Sequence, residues 1–463
     1  MKRTILKRSI FWCPACNVPL LGKTCGCGTE GIQIELRKPY DVRPALGHDR
    51  ELIRDLLTER FGTDPLPHII LLNKSGGADR NEAVIACGKV IGWLSFEPCT
   101  RRHRLDLTPE AVPLIAPHAK SGVVDITGEV EELLKKGRHV TGKKVIAVTS
   151  SPEGTVIIRA GRRFGTGALA GKEIRIKSLS IPETVSYTDP SWDDTIRCNR
   201  VHLKNIERNA VRTIRRYMRE GGRINVSFSG GKDSTATLAL AQKAGVEEVY
   251  FVDTGMEFPE TYEYVESTGI QIRLSGGDFW NDLNKEGIPQ KDKRWCCDRL
   301  KLTPVREWLA GESCITIQGN RWYESFSRST LPEITENPFT PGQMNLSPIR
   351  NWRALEVFLY IWWRDIPLNP LYGLGFERVG CWMCPAMLES EWEIVKKLHP
   401  ELYERWRKRL VKWARKKGFG REYIDCGFWR WEVPPPKAYE LARKNGIRLP
   451  ASKNRAVSGF KKK

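Results

Sequence analysis

The sequence predicts an α/β domain built on a parallel sheet, preceded by a small metal-nucleated module and a small β-rich module. Three observations carry that prediction. From Ile224, INVSFSGGKDSTATLALAQKAGVEEVYFVDTG reads strand, glycine turn, helix, strand, and parallel strands need such a crossover. CPAC followed by CGC sets Cys13, Cys16, Cys25 and Cys27 in two tight turns. Residues 117–180 alternate short apolar runs with Gly and Pro turns.

Composition bounds the function classes. A chain of 463 residues suggests about three domains at roughly 150 residues each. With 40% hydrophobic and 28% charged residues it folds rather than staying disordered. No run approaches the roughly 18 apolar residues of a membrane span. The basic start MKRTILKRSIFWCPAC has only a short apolar run and no small-residue cleavage site. The expectation is therefore a cytoplasmic chain without a membrane partner. Lys and Arg number 75 against 55 Asp and Glu, a formal charge of +20. That excess points to a polyanion, nucleic acid before membrane, or else to a generally basic surface. Thirteen cysteines in such a chain suggest metal or redox sites rather than structural disulfides.

Residues 1–35 form the first expected unit, a zinc ribbon or knuckle. Four thiolates suit a tetrahedral Zn²⁺, and so short a piece needs the ion to fold; free thiols in a loop are the alternative. Residues 36–116 are a small α+β region, with a helix over DRELIRDLLTERFG and a hairpin over AVIACGKVIGWLSF turning at Gly88-Lys89. Within it LLNKSGGADR mimics a phosphate loop, but another strand-like run follows, so it reads as a turn. In 117–180 the expected strands are VVDI, KKVIAVTS, GTVIIRAGRRF and GKEIRIKS, with turns at Pro152-Glu153-Gly154 and Gly165–Gly171. A linker near ETVSYTDPSW leads to an amphipathic helix, Val201 to Arg219, with Leu203, Ile206, Ala210 and Ile214 on its buried stripe. The α/β domain spans 200–390. Residues 391–463 are helical, basic and Trp-rich, and RWRKRLVKWARKKG reads as a solvated helix packed by Trp, or as a nucleic-acid contact.

The strongest chemical signal is Ser229-Gly230-Gly231-Lys232-Asp233-Ser234, between an apolar strand and a helix. Two glycines let backbone approach phosphate oxygens, and the helix start offers N–H donors. Ser229 and Ser234 can donate hydroxyls, Lys232 can neutralise pyrophosphate, and Asp233 can hold Mg²⁺ or cap the helix. The second signal is Cys296-Cys297 with Cys381-x-x-Cys384. Adjacent cysteines are awkward for zinc and suit an iron–sulfur cluster; zinc or unmetallated thiols remain open. Lys293, Arg294 and Lys301 would offset cluster charge.

These residues carry a resemblance. SFSGGKDS resembles the PP-loop of the adenine nucleotide α-hydrolase superfamily, whose members split ATP between the α and β phosphates. FVDTGMEFPET (251–261) and SPIRNWRALEVFLYIWWRDIPLNPLYGLGFERVGCWMCP (347–385) resemble signatures of the phosphoadenosine phosphosulfate (PAPS) reductase family. The resemblance implies a Rossmann-like parallel sheet over about 200–390, with Ser229 to Ser234 on phosphates and Asp253, Thr254, Gly255 and Glu257 by the nucleotide. Arg321 and Arg328, in GNRWYESFSRS, would be anion clamps or else a salt-bridged loop. The cysteine set resembles the [4Fe–4S] site of adenylyl-sulfate reductases. GRHVTGKKVIAVTSSPEGTVIIRAGRRF followed by LAGKEIRI resembles a PUA domain, an RNA-binding pseudo-barrel, with Arg162 and Arg163 as RNA contacts; a generic small barrel is the alternative. RRHR (Arg101–Arg104) adds nearby cations or a solvated face. The combination resembles an archaeal type.

Two departures separate the possible activities. The reductases carry a degenerate phosphate loop, whereas the intact SGGKDS fits ATP. They also use a C-terminal cysteine nucleophile, of which Asp425-Cys426-Gly427-Phe428-Trp429 is a partial echo with Asp for Glu and Trp for His. The expectation is an ATP-dependent sulfurtransferase that adenylates an RNA base, tRNA being the expected class, with ATP, Mg²⁺, Zn²⁺ and a [4Fe–4S] cluster as cofactors and Lys232, Asp233 and Cys426 as candidate catalytic groups. It would need a sulfur donor. The rivals are a PAPS or adenylyl-sulfate reductase with Cys426 as nucleophile and a thioredoxin-like reductant, and a non-catalytic RNA-binding protein.

Overall fold

A computed structural model describes residues 6–126, 144–146, 153–181, 187–310 and 312–449. At the N-terminus, Ser9–Cys13, Val18–Leu20 and Ile32–Glu35 make an antiparallel sheet with the first strand central. So small a sheet cannot enclose a core of its own. It borrows one: Ile10, Trp12, Val18 and Leu20 pack with Leu203, Leu355 and Leu359 of the α/β domain. Asn199 pins the junction, accepting from the Leu21 amide at 2.8 Å and donating to the Pro19 carbonyl at 2.9 Å.

The second unit is a five-stranded antiparallel meander, Val42–Pro44, Leu71–Lys74, Asn81–Ala86, Lys89–Glu97 and Arg102–Leu107, with the helix Gly47–Phe61. The helix and hairpin fall where the pattern puts them. The hairpin turns at Cys87-Gly88 instead of Gly88-Lys89, both residues having positive φ (47° and 73°), as a tight two-residue turn requires. SGGAD is a turn, and its Asp79 is structural. The buried carboxylate accepts from the Glu389 and Ser390 amides at 2.7 and 3.0 Å and pairs with Arg430 at 3.2 Å.

The β-rich unit has the order Lys144–Ile146, Glu173–Ile176, Arg163–Ala170, Gly154–Ala160, Val123–Asp125. Here one expectation fails. GTVIIRAGRRF is two strands turning at Gly161-Arg162, and the expected turn at Gly165–Gly171 is mostly strand. Gly165 and Gly167 serve close packing: a Cβ on Gly165 would lie 1.9 Å from the Ser178 carbonyl oxygen, and one on Gly167 2.5 Å from Ile174. Much of the PUA-like pattern (127–143 and 147–152) lies outside the described residues, as does 182–186 of the linker.

The α/β domain holds a six-stranded sheet ordered Ile272–Ser275, Val249–Asp253, Arg223–Phe228, Cys314–Ile317, Gln343–Leu346, Ile334–Glu336. The first five strands are parallel and the last antiparallel. Val226, Phe228, Phe251, Ile317 and Leu346 fill the core beneath the helices Arg200–Arg219, Lys232–Ala244 and Ala354–Trp363. Chain order runs outward both ways from Arg223–Phe228. The crevice between its C-terminal end and that of Cys314–Ile317 is thus the switch point where such sheets take ligands.

The C-terminal helices Glu389–Leu398, Pro400–Lys416, Arg421–Asp425 and Pro436–Lys444 close over Trp392, Trp406 and Trp429. The basic helix buries Trp406, Leu410 and Ala414 and leaves most of its cations in solvent. Cys99 and Cys426 form a disulfide with Cα atoms 4.4 Å apart, against the expectation that disulfides are absent. Among the described residues no helix is long and apolar enough to cross a membrane.

Candidate functional site

The phosphate loop leaves the strand Arg223–Phe228 and opens the helix Lys232–Ala244. Gly230 takes a left-handed φ of 73°, which only glycine adopts without cost. Ser229 and Ser234 close the loop, hydroxyl to hydroxyl at 3.1 Å, and the Lys232 amide donates to the Tyr372 hydroxyl at 2.8 Å. Gly319, after the strand Cys314–Ile317, lets the neighbouring loop come close: a Cβ there would meet the Asp233 backbone at 2.7 Å. Between these loops lies a cavity of about 280 Å³ lined by Ser229, Lys232, Asp233, Ser234, Arg328 and Arg378 among others. The cavity offers serine hydroxyls, a lysine and a helix N-terminus, a combination suited to anionic oxygens.

Asp233 neither caps the helix nor stands free. Its two oxygens pair with Lys232 Nζ at 2.9 Å and Arg321 Nε at 2.7 Å. Burial pushes this carboxyl up, but Arg321 and Lys232 outweigh it and hold the group below the usual range. Burial likewise opposes the charge on Lys232, and Asp233 more than restores it. Arg321 is 1% exposed and also pairs with Asp41 at 3.0 Å. It is the salt-bridged alternative, not an anion clamp: its fork is spent on two carboxylates. Arg328 does face the cavity, paired with Glu324.

The second cavity, about 200 Å³, is lined by Cys296, Cys297, Cys381 and Cys384 with Arg294, Lys301 and Arg378. Cys296 and Cys297 sit on a short helical turn, Cys381 and Cys384 on the turn before Glu389–Leu398. A hydrogen bond from Cys296 brings the Cys297 thiol down to about 6, with Lys301, Arg294 and Arg378 assisting against burial. Burial pushes Cys381 up to about 11 against Lys301. Lys301 is itself raised, first by Cys381. Lys293 is absent from this lining. The second motif faces the thiols: the Thr254 hydroxyl is 3.4 Å from Cys381 Sγ and bonds both Glu257 oxygens at 2.8 Å. Asp253 accepts from the Tyr262 hydroxyl at 2.7 Å and the Gly255 amide at 2.8 Å. Thr254 and Glu257 are therefore supports of the cysteine cavity, not lining of the phosphate-loop cavity.

The N-terminal cysteines are arranged differently. Cys13 and Cys27 sulfurs are 3.7 Å apart, those of Cys16 and Cys25 3.9 Å, and all four ligand atoms lie within 4.8 Å of one another. A single tetrahedral ion with metal–sulfur bonds of about 2.3 Å sets its thiolates about 3.8 Å apart. Such a set could bind one metal ion. Among the described residues no second group of three Cys, His, Asp or Glu is drawn in so tightly. Cys296, Cys297, Cys381 and Cys384 instead line the wall of a cavity.

Residues 223–387 match the model of the phosphoadenosine phosphosulfate reductase domain. An uncharacterized protein of Methanocaldococcus jannaschii is 33% identical over 93% of this chain and 98% of its own length. The chain belongs to the same family as that protein and carries a phosphoadenosine phosphosulfate reductase domain over residues 223–387. An adenosine 5'-phosphosulfate reductase of Deinococcus radiodurans is 26% identical, covering 42% of this chain and 71% of that one. A solved structure of a phosphoadenylyl-sulfate reductase from Candida auris, a phosphate complex, is 20% identical over 40% of this chain and 96% of its own, with a TM-score of 0.32.

Against that family frame, Cys426 is misplaced for a nucleophile. It is 4% exposed, bonded to Cys99, and lines neither cavity. The DCGFW echo packs in the Trp-rich core, where Arg430 bonds the Gly427 and Met387 carbonyls. Arg101 of RRHR is likewise spent, on Glu389 and Glu393. Arg162 and Arg163 lie at a hairpin turn, Arg162 exposed and Arg163 half-buried. Sequence reasoning missed Tyr372, Gly319 and, above all, Arg378 with Val379, which line both cavities. All but Gly319 sit in the long motif preceding the CxxC, and Gly319 opens the motif that carries the arginines.

Proposed function

We propose that this PAPS reductase-family chain is an ATP-dependent sulfurtransferase acting on RNA, with tRNA as the expected acceptor class. One observation carries the reading: the intact phosphate-loop cavity and the four-cysteine cavity share a wall at Arg378 and Val379. Activation and sulfur delivery can therefore meet at one acceptor. In the first step the base carbonyl oxygen attacks the α-phosphorus of ATP, and the α–β bridging bond breaks with its electron pair on pyrophosphate. Lys232, the two serine hydroxyls and the helix N–H groups meet the charge on the leaving group. Lys232 keeps protons to donate while paired with Asp233, since an ammonium carries three. In the second step a sulfur donor at the sulfide level attacks the base carbon. The carbon–oxygen bond to AMP breaks, AMP leaves, a proton is lost, and no net oxidation occurs. Arg378, at the shared wall, would hold the AMP phosphate.

The donor sets fit the expected groups. Cys296, Cys297, Cys381 and Cys384 would hold a [4Fe–4S] cluster, which would supply iron for sulfur chemistry. Cys13, Cys16, Cys25 and Cys27 would hold Zn²⁺ as a structural ion. Mg²⁺ would neutralise the polyphosphate, and Asp233 and Glu324 are the carboxylates lining that cavity. A reductase reading is favoured by the Deinococcus relative's name; it needs Cys426 to attack sulfur and a thioredoxin-like partner to reduce the product. The deciding experiment is anaerobic incubation with ATP, sulfide and total tRNA. RNA-stimulated pyrophosphate release with sulfur entering the RNA supports the transferase. Sulfite release from PAPS or adenylyl sulfate, abolished by Cys426→Ser, would replace it with the reductase.

A further inference from the structure

The helix Arg200–Arg219 carries a surface the chemistry above does not use. Its inner face is fully spent: Leu203, Ala210, Val211 and Ile214 are buried against the sheet and its helices. Its outer face repeats a cation at every turn, with Lys204, Arg208, Arg212, Arg216 and Arg219 all exposed. With Lys243 and Arg364 of neighbouring helices these residues line a groove of about 730 Å³ that holds eight cationic side chains and one carboxylate. The carboxylate, Glu207, is already neutralised twice, by Lys243 at 2.8 Å and by Arg364. Arg216 pairs with Glu333 across the groove edge. Among the described residues no carboxylate is in ion-pair range of Lys204, Arg208, Arg212 or Arg219. So many unpaired like charges at four-residue spacing repel one another and weaken the isolated helix.

We propose that this groove is a docking surface for the sugar-phosphate backbone of double-helical RNA. The choice of RNA rests on the function proposed above; the choice of a phosphate backbone rests on the groove alone. From Lys204 to Arg219 the stripe runs about 22 Å at 1.5 Å per residue. A duplex presents roughly one phosphate charge per 1.7 Å of its axis, so several cations can engage at once. No aromatic ring is among the residues lining the groove, which removes the stacking platform that unpaired bases need. An anionic membrane is the poorer occupant, because a helix lying in a bilayer needs its apolar face free, and here that face is in the core.

The test uses the full chain and the variant Lys204→Ala/Arg208→Ala/Arg212→Ala/Arg219→Ala. Binding is measured to total tRNA, a 20-base-pair RNA duplex, an oligouridine of equal length and phosphatidylserine vesicles, across a salt series. All four side chains are exposed, so the melting temperature should stay within a degree or two. The expected result is tRNA and duplex binding at least about tenfold weaker at 0.15 M salt, and a log-affinity against log-salt slope shallower by about 3. Two results would overturn the docking surface alone: an unchanged slope and affinity in the variant, or a loss confined to vesicles or oligouridine. If the parent chain itself binds no RNA, this surface and the RNA acceptor fall together.

Discussion

The two four-cysteine sets place one residue type in opposite surroundings. In the N-terminal set the sulfurs close to single-ion distance and are embedded in a module that has no core without its neighbours. In the second set they spread around a cavity, ringed by Lys301, Arg294 and Arg378, and abut the phosphate-loop cavity. Four ligands closed on one ion would leave no position for chemistry, whereas thiols on a cavity wall would. Spacing and surroundings, not cysteine count, distinguish the two sets.

The largest effect expected from the proposed function breaks that comparison at its cavity half. Cys381→Ser/Cys384→Ser should cost sulfur transfer roughly a thousandfold or more, while RNA-stimulated pyrophosphate release stays near the parent rate; both are read in one assay by product analysis. Equal loss of both would mean the cavities do not divide the labour. Lys232→Ala comes next. A charged hydrogen-bond partner is worth about 1.5–3 kcal/mol, so ATP affinity by calorimetry should fall about 10- to 100-fold, with the cysteine cavity unaffected. Gly319→Ala is subtler. Its new Cβ would press the Asp233 backbone at 2.7 Å, and overpacking of this kind costs about 1–3 kcal/mol. ATP binding should weaken and melting drop by a few degrees.

The smallest effect is one of pH. Burial pushes the Glu377 carboxyl up, but Lys74 at 2.8 Å, with Arg43, pulls it from 4.5 down to about 2. A depressed acid stabilises the fold above its ordinary value and loses that contribution as pH falls from about 4.5 toward 2. Because Lys74 is 41% exposed, the contribution is about 1 kcal/mol. Glu377 lines the cysteine cavity, so Glu377→Gln should flatten the acid side of the melting-temperature profile. A profile that falls as steeply as the parent's would assign the acid sensitivity elsewhere.

What the sequence revealed follows from how local each signal is. SGGKDS and CPAC…CGC are complete within a few residues, so both turns were legible, as was the βαβ unit around the loop. The switch-point crevice needs strands about ninety residues apart in sequence, Arg223–Phe228 and Cys314–Ile317, yet the motif order implied it. The long-range pairings were not legible. Nothing local shows that Arg321 is spent on Asp41 and Asp233, or that Cys426 faces Cys99 across 327 residues. The turn expected at Gly165–Gly171 failed for a related reason: those glycines answer to neighbouring strands, not to their own backbone.

Metal content of the anaerobically purified chain tests the division most directly. Zinc, iron and acid-labile sulfide would be measured in the parent, in Cys13→Ser/Cys16→Ser and in Cys381→Ser/Cys384→Ser. The predicted outcome is one zinc, lost only from the first variant together with thermal stability, and iron with sulfide, lost only from the second. Zinc bound by Cys296, Cys297, Cys381 and Cys384, with no iron in the parent, would contradict it.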